Sequence, residues 1–97
     1  MAQRAEKEMK IVKLTDRNVL KKRDGCTHAL KINLYDDATD KIWQIITKPN
    51  FVSTVHTYHT KRLVVSPDAT HGREYKFNVW FGVKDETVIT QILLMLQ

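Results

Sequence analysis

The side chains best suited to chemistry in this chain are its four histidines and its single cysteine. His56 and His59 stand three residues apart in a segment rich in Val and Thr, which favours a β-strand. On a strand, residues three apart point to opposite faces, so the two imidazoles cannot readily reach one metal ion. A catalytic zinc site also needs a third protein ligand, and the spacing of Cys26, His28 and His71 matches no standard site. We therefore expect no bound metal.

The remaining reactive residues do not form a pattern typical of covalent or acid–base catalysis. Cys26 lies near a run of bases that would lower its pKa, but no base for proton transfer is paired with it in the sequence, so a structural role is favoured. The acidic pairs that begin at Asp36 and Asp85 stand where helix N-caps are expected. The three glycines are too far apart to form a phosphate-binding loop. The sequence thus predicts no enzyme and no cofactor.

Positive charge is concentrated near the start of the chain. The net charge is +5, and residues 1–24 hold eight basic and four acidic residues, whereas the remainder is nearly balanced. A basic end on a near-neutral body favours an anionic partner. A solvated tail that binds nothing explains the same charge run, and both interpretations stay open at this point.

The strongest candidate site is a basic surface that carries a large aromatic residue. From Tyr75 to Val83, apolar and polar residues alternate, which predicts a half-buried strand with Lys76 and Trp80 on its outer face. Bases neutralise phosphate charge, and an exposed ring offers a surface for stacking. The alternative is that Trp80 is covered by the N-terminal segment or by a dimer partner. The predicted nucleic-acid-binding residues are Lys21, Lys22, Arg23, Lys61, Arg62, Lys76 and Trp80.

A predicted hairpin positions the first three of these bases. Asp24 and Gly25 favour a type I′ turn, because both tolerate a positive φ. The basic run at residues 21–23 would then lie at the hairpin tip. The return strand would cover residues 28–34, with Lys31 on its polar side.

Two further strands and a long loop are predicted in the second half of the chain. Residues 51–59 and 61–65 are rich in Val, Thr and other strand formers, and the second run is either a separate strand or a continuation of the first. A loop over residues 66–72 contains Pro and Gly in their usual turn roles and leads into the alternating strand over residues 73–83.

Two amphipathic helices are predicted to cover one face of this sheet. The first covers residues 37–48, with Asp37 as its N-cap and Pro49 as its stop, and the second covers residues 85–97. Apolar residues at helical spacing form their buried stripes, which consist of Ala38, Ile42, Ile45 and Ile46 in the first helix and Val88, Ile89, Ile92, Leu93 and Leu96 in the second.

The sequence therefore predicts an α+β fold, with an antiparallel sheet of about five strands and two helices packed on one face. Residues 1–97 form a single domain, and residues 1–7 are a candidate flexible basic tail. No apolar run is long enough to span a bilayer, and the first 24 residues lack an apolar signal region, so we expect an intracellular protein, cytoplasmic or nuclear, without a membrane partner.

We expect this domain to be a binding module, with DNA or RNA bound by the basic hairpin and the exposed sheet face. The alternative is a protein-interaction or inhibitory module that uses the same face, or an edge strand, to join an acidic protein partner or a second copy of itself.

Overall fold

The fold is a four-stranded antiparallel sheet flanked by three helices. The computed structural model describes residues 9–64 and 74–97. In chain order the elements are β1 (Lys10–Lys13), α1 (Val19–Asp24), β2 (His28–Asn33), α2 (Asp37–Ile46), β3 (Val55–Val64), β4 (Glu74–Val83) and α3 (Glu86–Leu96). The strand order is β1-β2-β4-β3, and every neighbouring pair is antiparallel. The predicted α+β fold with an antiparallel sheet is confirmed, but the described residues form four strands where about five were predicted, and three helices where two were predicted. The candidate tail at residues 1–7 and the predicted loop at residues 66–72 lie outside the described residues.

The main core lies between one sheet face and helices α2 and α3. Burying the apolar stripes of both helices against the period-two strands removes a continuous apolar layer from water. The predicted stripe of α2 is confirmed, since Ile42, Ile45 and Ile46 are buried and Ala38 packs beside them. In α3, Ile89 and Ile92 are fully buried, whereas the other stripe residues are partly buried against the same core.

Side-chain caps fix where α2 and α3 begin. The carboxylate of Asp36 accepts the N–H of Ala38 at 2.9 Å, so the N-cap lies one residue before the predicted Asp37. The carboxylate of Asp85 likewise accepts the N–H of Thr87 at 3.0 Å. Each cap satisfies an N–H that has no partner inside the helix. Within the described residues, no helix combines the length and apolarity that a bilayer span requires.

The hairpin predicted around Asp24 and Gly25 is wrong, because this segment is the short helix α1. Asn18 caps its start by accepting the N–H of Leu20 at 2.8 Å. Gly25 ends the helix in the left-handed conformation, with φ of 73°. A type I′ turn needs positive φ at both central residues, whereas here only the glycine has it and Asp24 is the last helical residue. The basic residues 21–23 therefore lie on a helix.

Helix α1 covers one end of the sheet face opposite α2 and α3. Leu20 is fully buried there with Leu14, Cys26 and Ala29, in a second, smaller core. The close approach depends on Gly82 of β4, since a β-carbon at this position would lie 2.9 Å from Leu20 Cδ1 and 3.0 Å from Cys26 Sγ. The glycine therefore provides the space in which α1 docks.

Substituting Gly82 by Ala is expected to destabilise the protein by ~1–3 kcal/mol, because the added methyl group overpacks this small core. The tip of Leu20 can rotate away, but the short side chain of Cys26 cannot. The loss of stability caused by Gly82→Ala should therefore be smaller in a protein that also carries Cys26→Ala. Urea unfolding of both single variants and the double variant measures this coupling, and an equal cost of Gly82→Ala in both backgrounds would contradict it.

Strands β3 and β4 extend beyond the rest of the sheet. The last pair between β2 and β4 joins Asn33 to Asn78, whereas β3 and β4 remain paired as far as Val64 and Glu74. We call this two-stranded extension, residues 61–64 with residues 74–77, the ribbon. Among the described residues, each strand of the ribbon has one neighbouring strand, and these residues leave both faces and the outer edge of the ribbon open.

Candidate nucleic-acid interface

The sheet face opposite α2 and α3, called the open face, carries the predicted outer residues of β4. Residues directly paired across antiparallel strands point to the same side. Lys31 pairs with Trp80, Asn33 pairs with Asn78, and Arg62 pairs with Lys76. Phe81, the neighbour of Trp80 in β4, points to the other side of the sheet and is fully buried in the main core. The predicted register is therefore confirmed.

The part of the open face that the described residues leave uncovered is strongly basic. Lys10 of β1 lies directly opposite Lys31, and Arg62 lies directly opposite Lys76. Like charges facing each other across strands repel, and the positive potential they create attracts an anion. Together with Trp80, these four cations form what we call the basic face.

Trp80 is held in place at the boundary between α1 and the basic face. Its ring packs against the smaller core under α1, and its Nε1–H donates to Thr60 Oγ1 at 3.2 Å. Lys31 Nζ lies 5.0 Å from the ring centroid, a cation–π contact. The indole is thus partly covered by its own chain, by α1 and by Lys31. A base that stacks on the ring face occupied by Lys31 must displace that ammonium group.

Lys61 does not join Arg62 on the basic face. Adjacent strand residues point to opposite sides. Lys61 therefore faces the helix side of the sheet, opposite Phe77, with its Nζ 4.4 Å from the centroid of Tyr75. The predicted pair of charges at residues 61 and 62 is split across the two sides of β3.

The three basic residues of α1 lie on the open side of the sheet but differ in their contacts. Lys21 Nζ is 3.0 Å from the carboxylate of Asp16. Arg23 pairs with Asp24 at 2.8 Å, and hydrogen bonding between the two raises the pKa of Arg23 and lowers that of Asp24. Lys22 is exposed and has no acidic partner among the described residues.

Positive side chains in the last turn of α1 also stabilise the helix by offsetting its dipole, so these three bases have a structural role even without a ligand.

The reactive residues considered for metal binding or catalysis are not brought together. His56 Nδ1 lies 3.8 Å from the carboxylate of Asp24, whereas His59 stacks on Trp43 on the helix side of the sheet. The described residues contain no group of three or more potential metal ligands, and His71 lies outside them. Cys26 is fully buried, and burial raises the pKa of its thiol. The neighbouring bases therefore do not produce the lowered pKa considered from the sequence.

Sequence reasoning missed three residues that the structure adds to this region. Lys10 joins the basic face through β1, a segment whose sequence is equally consistent with a helix start. Tyr35 and Tyr75 are 74% and 55% exposed, respectively. The period-two pattern of β4 assigns Tyr75 to the buried side, but the helices do not reach that end of the strand.

Comparison with known proteins adds no assignment. No family model matches the chain, and neither curated proteins nor solved structures give a significant match.

Proposed function

We propose that this protein binds nucleic acid through the basic face, with helix α1 contributing further phosphate contacts. The observation that carries the proposal is the strand register, which gathers Lys10, Lys31, Arg62 and Lys76 around Trp80 on the face that α2 and α3 leave open. The strands of the described residues contain six basic residues and one acidic residue, so the net charge of the sheet is strongly positive.

The mechanism is the neutralisation of phosphate charge with release of counterions. The cations are distributed over all four strands, so a nucleic-acid backbone crossing the sheet meets them in succession. Lys22 and the paired bases of α1 lie on the same side of the sheet, next to Trp80. Trp80 is an immobilised aromatic side chain beside these cations. Contacts of this kind give affinity for the nucleic-acid backbone without specificity for base sequence.

A salt series on the wild-type protein tests this proposal. The logarithm of the association constant for a short DNA duplex should fall with the logarithm of salt concentration, with a slope of roughly −3 to −4 if all four cations of the basic face contact phosphate. Fluorescence anisotropy of a labelled duplex measures it. Absence of binding to the duplex and to single-stranded DNA and RNA at about 50 mM salt, where phosphate contacts are strongest, would end the proposal.

Trp80 is expected to report binding directly. The chain has two tryptophans. In a Trp43→Phe variant the only indole is that of Trp80, and its fluorescence should change saturably when the duplex is added. The matched control is Trp80→Phe, which leaves Trp43 on the helix side of the sheet and should show no change. A fluorescence change in the Trp80→Phe variant but not in the Trp43→Phe variant would contradict the proposal, because it would place the duplex on the helix side of the sheet.

A protein partner is the second candidate, because α3 exposes large apolar side chains. Leu94 is 62% exposed and Met95 is 47% exposed. In addition, β3 is a ten-residue edge strand, and an edge strand can pair with another chain. If no nucleic acid binds, sedimentation of the protein alone and with an acidic polypeptide distinguishes self-association from a charged protein partner.

A further inference from the structure

Exposed aromatic rings cluster on the helix side of the ribbon, opposite to the basic face. Phe77 lies at the centre of this aromatic cluster, which consists of Tyr35, Tyr75 and Phe77. Tyr35 meets Phe77 edge to face, with centroids 6.0 Å apart and planes at 81°. Tyr75 meets it at 6.4 Å and 41°. Both tyrosines are more than half exposed, so Phe77 supports two rings that present their surfaces to solvent.

The charges around the aromatic cluster are asymmetric. Lys61 lies against Tyr75, and the exposed Arg62 follows it along the outer edge of β3. On the inner side, Tyr35 is followed by the first turn of α2, which carries the exposed acids Asp37 and Asp40. A polyanion is therefore attracted to the β3 edge and repelled from the α2 side.

We propose that the aromatic cluster stacks unpaired bases of a single-stranded nucleic acid whose phosphates follow the outer edge of β3. This inference rests on the proposed function and adds the ligand class. The strand's backbone contacts Lys61 and Arg62, and its bases turn inward onto Tyr75 and Tyr35. The acids of α2 keep phosphates away from the inner side and leave the uncharged bases there.

The geometry of the ribbon explains why this ligand must be unpaired. In a duplex the faces of the bases are covered by their neighbours, so the tyrosines have nothing to stack on. A flexible single strand can pass over the edge of β3, because within residues 9–64 and 74–97 no strand pairs with the ribbon on that side. Its backbone then meets Arg62 on the open side and Lys61 on the helix side.

The test compares single-stranded and duplex ligands with a tyrosine double variant. Tyr35→Ala combined with Tyr75→Ala should weaken binding of poly(dT) and poly(U) by roughly 30-fold or more, since stacking contributes ~1–3 kcal/mol for each of the two bases and about 1.4 kcal/mol corresponds to a factor of ten. Binding of a DNA duplex should change by less than about twofold. The conservative pair Tyr35→Phe and Tyr75→Phe keeps both rings and should retain single-strand affinity. The two polymers distinguish DNA from RNA as the source of the unpaired bases.

A matched control removes apolar surface elsewhere. Leu94→Ala with Met95→Ala truncates two exposed side chains on α3 and should leave single-strand binding unchanged. Because both tyrosines are more than half exposed, all variants should remain folded, and the alanine pair should lower the unfolding midpoint only modestly through the lost contacts with Phe77.

Two results overturn the inference. The stacking site is contradicted if the alanine variant keeps its affinity for single strands, or if its affinities for single strands and duplex fall equally. In either case, salt-dependent duplex binding by the wild type would still support binding at the basic face. If the wild type binds neither ligand, the proposed function and this inference fail together.

Discussion

Replacing Lys31, Arg62 and Lys76 together by glutamine is expected to weaken duplex binding by roughly 100- to 1,000-fold at about 0.1 M salt. Each lost phosphate contact on duplex DNA removes ~0.9 from the salt slope, so the slope itself should flatten by nearly 3. Glutamine is shorter than lysine and arginine but keeps a polar end without charge, and it removes the repulsion between Arg62 and Lys76 across the strands. The variant loses the cation–π contact between Lys31 and Trp80, which costs ~0.5–1 kcal/mol at an exposed site, so it should remain folded with at most a small decrease in stability. Anisotropy at several salt concentrations gives both the affinity and the slope.

A control with the same change in net charge separates location from total charge. Lys13, Lys41 and Lys48 are exposed and lie outside the basic face. Changing these three to glutamine should reduce affinity by less than about threefold, because distant exposed charges are largely screened by salt. An equal loss of duplex affinity in the two triple variants would mean that binding depends on the net charge of the protein and not on a particular surface.

Deleting residues 88–97 is expected to leave the chain unfolded. Ile89 and Ile92 are completely buried against the sheet, and each contributes about 1.5–3 kcal/mol relative to exposure. Losing the other partly buried stripe residues would also expose Phe81 and the inner side of α2 to water. Because a domain of this size has a total stability of roughly 5–15 kcal/mol, the loss removes most or all of it. Circular dichroism during thermal and urea unfolding measures the outcome.

The matched control for the deletion keeps the helix and changes only its outer side. Leu94→Ser with Met95→Ser should shift the unfolding midpoint little, since both side chains already face solvent. A truncated chain that still unfolds cooperatively at the wild-type midpoint would contradict the prediction. It would show that α3 is an accessory helix and contributes little to the core.

The sheet register and the two long helices are predictable from sequence because each depends on a local repeat. The alternation from Tyr75 to Val83 determines which side chains share a face. The stripes of α2 and α3 likewise determine which helix sides are buried. The placement of Lys76 and Trp80 on the open face follows from these patterns alone.

Helix α1 is not predictable in the same way. With six residues and one buried side chain, Leu20, it is too short to show an amphipathic repeat. The dipeptide at Asp24 and Gly25 is compatible both with a tight turn and with a left-handed helix end. The choice depends on whether Leu20 finds a place to dock, and that place is created by Gly82, distant in the sequence.

The assembly of the candidate site also depends on contacts between distant segments. Lys10 joins the basic face only because β1 pairs with β2. Tyr35 meets Phe77 only because β4 lies next to β2, with β3 on its other side. Strand order is set by the crossover of α2, and no local pattern in the sequence specifies it. The separation of Lys61 from Arg62, by contrast, follows from strand alternation alone.

The burial of Cys26 beneath α1 makes the thiol a natural reporter of native-state opening. It is the only cysteine in these 97 residues, and its side chain has no exposure to solvent. A thiol reagent can therefore reach it only while α1 is detached from the sheet or the whole chain is unfolded. When reclosing is faster than modification, the ratio of the labelling rate to that of a free thiol gives the equilibrium constant for opening. In the unsubstituted protein, the labelling rate of Cys26 thus reports how often helix α1, which lies beside the basic face, detaches from the sheet.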